Sequence, residues 1–206
     1  MKRLLTLLCV LLGLAGSVPA RAEDPKPTAK PAAADEVAVL KFKGYGDITL
    51  EFFPEVAPKT VENFKKLARE KFYDGTLSHR LIPGFMIQLG DPLTKDPAME
   101  ARWGTGDAGY KVKAEFNNKP HVKGTVSMAR SADPDSAGSQ FFICFGAAPH
   151  LDRQYTAFAH VLGGMDVLDT LEKVSVGGPS RSKPQNPVVL ESVTLVPRAD
   201  WKPAVK

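Results

Sequence analysis

The chain has 206 residues, of which 43% are hydrophobic and 24% charged, with a formal net charge of +4. That composition supports one core-forming domain and excludes wholesale disorder or a collagen-like fibre. Setting aside Lys2, Arg3 and Arg21, the only charged side chains among 1–22, leaves +1, too small a footprint for a polyanion partner.

Residues 1–22 read as a cleavable export signal. Lys2 and Arg3 precede an apolar run of 13 residues from Leu4 to Gly16, and Ala20-Arg21-Ala22 supplies a small-x-small cleavage site before Glu23. As a helix this run spans roughly 20 Å, short of the ~30 Å hydrocarbon core of a membrane. Residues 23–35 contain three prolines and no large apolar side chain, the composition of a flexible linker. A folded domain is expected over 36–197, followed by a tail at 198–206. Cys9 leaves with the signal, so Cys144, set in Phe141-Phe142-Ile143-Cys144-Phe145, is expected to be an unpaired, buried strand residue.

Strand signals dominate the domain. Val37 to Phe42 and Ile48 to Phe52 alternate around the turn Gly44-Tyr45-Gly46-Asp47, predicting a hairpin. A helix is expected from Pro58, with Val61, Phe64, Leu67, Ala68 and Phe72 on its apolar side. Further strands are predicted at 77–82, 85–89, 111–116, 124–129, 140–145, 156–162 and 188–196, and a second helix at about 164–173. Short, closely spaced strands of this kind favour a closed barrel, which removes exposed edges.

Three stretches carry polar groups among apolar ones: Ser78 to Asp91, Ser127 to Ile143, and His150-Leu151-Asp152-Arg153-Gln154-Tyr155. Alternation puts Gln140 and Phe142 on one strand face. By themselves these residues offer apolar walls, two amides and an arginine, with no evident nucleophile–base pair. Periodicity alone does not separate a groove wall from an interior at Phe85, Met86 or Phe142. The four histidines lack ligand-pair spacing, Ser127 and Ser139 lack a Gly-x-Ser-x-Gly elbow, and Asp133-Pro134-Asp135-Ser136 reads as a turn.

His79-Arg80-x-Ile82-Pro83-Gly84-Phe85-Met86-x-Gln88, followed some fifty residues later by Ser139-Gln140-Phe141-Phe142-Ile143, resembles the cyclophilins, the peptidyl-prolyl cis-trans isomerases. Leu151-Asp152, Gly163-Gly164-Met165-Asp166-Val167 and Pro187 to Val193 extend the likeness over about 36–197. With the export signal, it is similar to the periplasmic bacterial branch. The resemblance implies a mainly β fold, a closed eight-stranded antiparallel barrel capped by two α-helices, with a peptide groove outside. Arg80 matches the family's catalytic arginine. Phe85, Met86, Phe142 and Leu151 match the proline pocket. Gln88, Ala129 and Arg130 match positions that hold the peptide main chain, with Gln140 nearby, and Tyr155 stands where a Tyr is usual in bacterial members.

The implied activity needs no covalent intermediate, metal or cofactor. Its partners are proline-containing peptides and unfolded exported proteins, with no nucleic acid and no lasting membrane insertion, and a monomer in the periplasm is expected. Ser78 and Leu89 depart from the family pattern, the segment Asp91 to Trp103 is unlike the usual loop, and His150 replaces the Trp of cyclosporin-sensitive members, which implies weak cyclosporin binding. A peptide-binding module on the same scaffold, with little isomerase activity, is the alternative, since fold alone does not fix function.

Overall fold

A computed structural model describes residues 35–203, so the expected signal and nearly all of the linker lie outside the described residues. The predicted hairpin is β1 (Glu36–Phe42) and β2 (Gly46–Phe52), followed by helix α1 (Pro58–Arg69). Strands β3 (Thr76–Leu77), β4 (Arg80–Ile82) and β5 (Met86–Leu89) come next. The segment after β5 folds as two 3-10 turns, Pro92–Lys95 and Pro97–Arg102. Then follow β6 (Thr125–Met128), β7 (Phe141–Cys144), β8 (Ala157–Gly163) and helix α2 (Met165–Glu172). A small pair, β9 (Val176–Gly177) and β10 (Lys183–Pro184), precedes the long β11 (Val189–Pro197).

Nine strands form one antiparallel sheet in the order β3-β11-β1-β2-β8-β6-β7-β5-β4. The expected closed eight-stranded barrel is met only in part. The sheet is strongly curled, but among the described residues no ladder joins its end strands β3 and β4. They are linked covalently through Ser78 and His79, and the 182–188 segment lines the seam: Ser78 N–H donates to Val188 O (2.9 Å) and Leu81 N–H to Ser182 O (2.6 Å).

Three other expectations change, the first being the strand expected at 77–82, which breaks at Ser78-His79 into β3 and β4. Residues 111–116 form no strand; their one bridge is Val112 with Ala137. The local backbone donors go to side chains instead, Ala114 N–H to Asp135 (2.9 Å) and Glu115 N–H to Thr156 (3.0 Å). Helix α1 stops at Arg69, before Phe72, because Lys71 takes a left-handed φ of 56° and Phe72 N–H turns back to Leu67 O. Its first turn lacks a local side-chain cap. Glu115, from the non-strand segment, accepts from Lys59 N (3.0 Å) and Thr60 N (2.8 Å), which satisfies donors that the helix leaves open.

The core lies inside the curl. Ala38, Leu40 and Phe42 of β1 and Ile48, Leu50 and Phe52 of β2 are buried there with Phe64, Leu67 and Ala68 of α1. Phe64 sits at the centre of an aromatic cluster, 5.0 Å from Tyr73, 5.3 Å from Phe141, 5.3 Å from Phe158 and 5.7 Å from Phe52 between ring centroids. Offset and edge contacts of this kind add to the burial term. Phe64→Ala should therefore cost about 3–5 kcal/mol of unfolding free energy in urea; a loss below about 1 kcal/mol would show that the cluster does not hold α1 in place.

Candidate active site

Alternation along β5 and β7 sorts their side chains onto two faces. Ile87, Leu89, Phe141 and Ile143 enter the main core, while Met86, Phe142 and Cys144 join Ala148 and Leu151 in a second cluster on the outer face. Antiparallel register then aligns Arg80 opposite Gln88, Gln88 opposite Phe142, and Phe142 opposite Ser127, one row across β4, β5, β7 and β6. Cys144 is buried in that second cluster, free of any disulfide, and burial pushes its thiol up to about 12. It is an inert packing residue.

Arg80, Gln88 and Phe142 of that row face a cavity of about 630 Å³. Arg80, Phe85, Met86, Gln88, Ala129, Arg130, Phe142, Leu151 and Tyr155 all line it, so nine of the ten residues expected from the sequence meet in one place. The tenth, Gln140, lines an adjoining groove of about 400 Å³ that shares Gln88, Gly104, Ala129 and Arg130 with the first. His79, Trp103, Gly104 and Ser182 also line the main cavity. These four carry no periodic signal. His79 stands in the motif directly before Arg80, and Trp103 closes the insertion that begins at Asp91.

A directional chain of hydrogen bonds runs along this surface. Arg80 Nη1 donates to Gln88 Oε1 (3.3 Å), Gln88 Nε2 donates to Gln140 Oε1 (2.9 Å), and Gln140 Nε2 donates to the carbonyls of Gly104 (3.0 Å) and Gly106 (2.7 Å). Backbone carbonyls only accept, so they fix the orientation of both amides and leave an oxygen facing Arg80. The glycine turn is itself held by Asp91, fully buried, whose carboxylate accepts from Leu93 N (2.8 Å), Gly104 N and Gly106 N (3.3 Å). A Cβ at Gly106 would lie 2.1 Å from Asp91 Oδ1, so the turn requires glycine there.

Arg130 serves the opposite wall. Its Nε donates to Gln154 O (3.1 Å), its Nη1 to Ser131 O (2.8 Å), and the guanidinium lies 4.6 Å from the Tyr155 ring centre. Tyr155 meets Phe142 edge-on, and His150 lies 5.5 Å from Phe85 between ring centroids.

Behind Phe142 lies an arrangement that sequence reading missed. The His121 ring stacks on Phe142 at 6.1 Å, its Nδ1 is 3.0 Å from Asp152 Oδ1, and its Nε2 is 3.1 Å from Ser127 Oγ. Asp152 accepts at Nδ1, so Nε2 is the acceptor for the Ser127 hydroxyl. The set has the connectivity of a hydrolytic triad, but Ser127 is fully buried and its hydroxyl cannot reach a substrate. It braces the aromatic wall instead.

With this geometry in place, the comparisons define the class. Residues 37–195 match the family model "Cyclophilin type peptidyl-prolyl cis-trans isomerase/CLD". A "Probable peptidyl-prolyl cis-trans isomerase" of Brucella abortus is 47% identical over 152 residues, covering 72% of this chain and 77% of that protein. Peptidyl-prolyl cis-trans isomerase-like 3 of Gallus gallus is 42% identical over 161 residues, covering 77% and 96%. Among solved structures, a cyclophilin-type isomerase of Cryptosporidium parvum, crystallised in the presence of the dipeptide Ala-Pro, aligns with a TM-score of 0.69 and 28% identity, covering 78% of this chain and 98% of that one. The chain belongs to the cyclophilin-type peptidyl-prolyl cis-trans isomerase family. It is an isomerase that acts on proline-containing peptides.

Burial holds His121 below its ordinary value of 6.5 despite the opposing pull of Asp152, and burial likewise lowers His79 against the pull of Asp91. Both rings are neutral in the fold near neutral pH. As pH falls below about 6.5 the unfolded chain takes up protons that the folded one resists, so stability falls with pH. The urea midpoint should drop between pH 7 and pH 5, and the slope should be shallower in His121→Gln. A midpoint that is flat across that range would show that neither histidine is linked to folding.

Proposed function

We propose that Arg80 performs the isomerisation by stabilising the twisted amide, and that the enzyme acts on unfolded exported proteins. The single observation that carries the mechanism is the Arg80–Gln88–Gln140 chain, which aims an arginine at the mouth of an aromatic-walled cavity.

A prolyl bond resists rotation because the nitrogen lone pair is delocalised into the carbonyl, a barrier of about 18–20 kcal/mol. Uncatalysed exchange takes roughly 10–100 s. At the midpoint of rotation that delocalisation is lost and the lone pair becomes a local acceptor. One Arg80 N–H is engaged by Gln88; another is free to donate to the prolyl nitrogen. The donor binds the twisted state better than either planar state, which is the condition for raising the rate. Lowering the barrier by about 7 kcal/mol corresponds to roughly 10⁵-fold acceleration.

The other walls hold one end of the bond while the other turns. Phe85, Met86, Phe142, Leu151 and Tyr155 receive the proline ring, and the backbone at Ala129 and Arg130 and the amide of Gln88 hold the neighbouring main chain. The dipeptide Ala-Pro, in whose presence the Cryptosporidium relative was crystallised, carries the X-Pro bond that this reading requires. Arginine stays protonated at all accessible pH values, so turnover should be flat across neutral pH.

The Lys2-Arg3 start, the apolar run and the Ala20-Arg21-Ala22 site support export to the periplasm, where we expect a monomer working on newly exported chains. Expression of the full chain in a bacterium with two membranes should yield a periplasmic form that begins at Glu23, by N-terminal sequencing. A full-length cytoplasmic product would remove the export reading.

Arg80 is exposed, so Arg80→Ala should stay folded while prolyl isomerisation of a short X-Pro peptide falls by about 10²–10³-fold, the scale of losing one transition-state donor. Peptide binding should persist in the variant. Retained turnover would exclude the arginine mechanism, and an inactive wild type that still binds peptide would leave a binding module.

A further inference from the structure

The insertion between Asp91 and Trp103 is built into the wall of the peptide cavity. Its base is tied at both ends by one carboxylate: Asp91 accepts from Leu93 N and from Gly104 N. Its first turn is fastened to β3, where Leu77 N–H donates to Thr94 Oγ1 at 2.9 Å. Its second turn is fastened to β10 by the Glu100–Lys183 ion pair. A loop with anchors at its base and on both flanks holds its last residue in a fixed place.

That residue is Trp103, half-buried and lining the cavity. Its indole Nε1–H donates inward to Leu93 O (3.0 Å), with Asp96 O at 3.3 Å, and Lys183 Nζ lies 5.3 Å from the ring centre. The polar tip of the side chain is therefore used within the loop, and the surface left for a ligand is aromatic carbon. Gly104 abuts His79, the residue before Arg80, so Trp103 flanks the cavity on the β4 side of the row. Phe142 stands two strands away, and a cavity of about 630 Å³ is of a size that takes a drug-like ligand, more than a proline ring fills.

We propose that Trp103 forms a second apolar subsite that receives an aromatic or large aliphatic side chain flanking the proline, making the enzyme selective for such clients. The inference rests on reading this cavity as the peptide site. An aromatic side chain against a fixed indole gains through burial and ring geometry, which corresponds to about threefold to tenfold in preference.

The test compares kcat/KM for short X-Pro-Y peptides bearing Phe or Ala on either side of the proline. In the wild type, Phe should be preferred on one side, and Trp103→Ala should reduce that preference ratio threefold to tenfold while Trp103→Phe keeps most of it. Trp103 and Trp201 are the only tryptophans, and Trp201 is bonded to Thr49, away from the cavity. In full-length Trp201→Phe, titration with a Phe-containing peptide should therefore shift Trp103 emission saturably, with or without Arg80→Ala. This second measurement keeps the native loop and decides the matter if Trp103→Ala does not fold. Unchanged preference ratios, or unmoved emission with an active enzyme, would overturn the subsite. Shifted emission without isomerisation would retain it and overturn the isomerase mechanism instead.

Discussion

The outer face of this protein depends on one buried carboxylate. Asp91 has no solvent exposure and, among the described residues, no salt bridge; its charge is satisfied by three backbone N–H groups. An unpaired buried charge would cost several kcal/mol, so these donors are what makes the position tolerable. In return the carboxylate brings Leu93, Gly104 and Gly106 into one tight turn. The carbonyls of that turn orient Gln140, which orients Gln88, which engages Arg80. The same tie closes the insertion that carries Trp103. Groove floor and groove rim are thus set by a single group shut off from solvent.

The second constraint is the two-residue period of β5 and β7. Each strand must contribute to the main core and to the groove at once, which explains why both read as almost wholly apolar. Ile87 and Ile143 support the inside of the curl while Met86 and Phe142 build the outside. Because the strands are held from within, the groove residues are presented on a rigid surface. On the mechanism proposed above, rigidity matters because a reaction without covalent chemistry takes its rate from donors placed where the twisted amide will be.

How far the sequence disclosed this follows from the kind of signal each part carries. Period-two and period-3.6 patterns are local, and they located β1, β2, β5 to β8, β11 and both helices within a few residues. The motif around Arg80, Phe85 and Gln88 was legible because it is contiguous, and strand register then brought Phe142 and Gln140 to it. What was not legible depends on distant partners. Residues 111–116 carry an alternating pattern, yet Asp135 and Thr156 take their backbone donors and no ladder forms. The seam between β3 and β4 depends on the 182–188 segment, which has no periodicity. His121, Ser127 and Asp152 lie far enough apart in sequence that no spacing rule links them, although each is an ordinary residue for its own turn or strand.

That last set shows why a histidine sits where a purely apolar residue would pack as well. Phe142 needs a flat, rigid support behind it, and an imidazole bonded on both sides supplies one: Asp152 holds Nδ1 and Ser127 holds Nε2, so the ring cannot rotate. Asp152 follows Leu151 directly, and Ser127 lies opposite Phe142 in the row. The imidazole therefore pins the loop that carries one wall residue to the strand beneath another. Its neutrality is part of the design. A protonated ring at Nε2 would lose the bond accepted from Ser127 and place a charge beneath an apolar wall, where burial opposes it. The aromatic wall and the arginine beside it are consequently supported by separate polar systems, one uncharged beneath the aromatic ring and one anchored in a carboxylate beneath the amides. In the proposed mechanism the apolar end of the groove grips the proline ring while the polar end meets the changing amide.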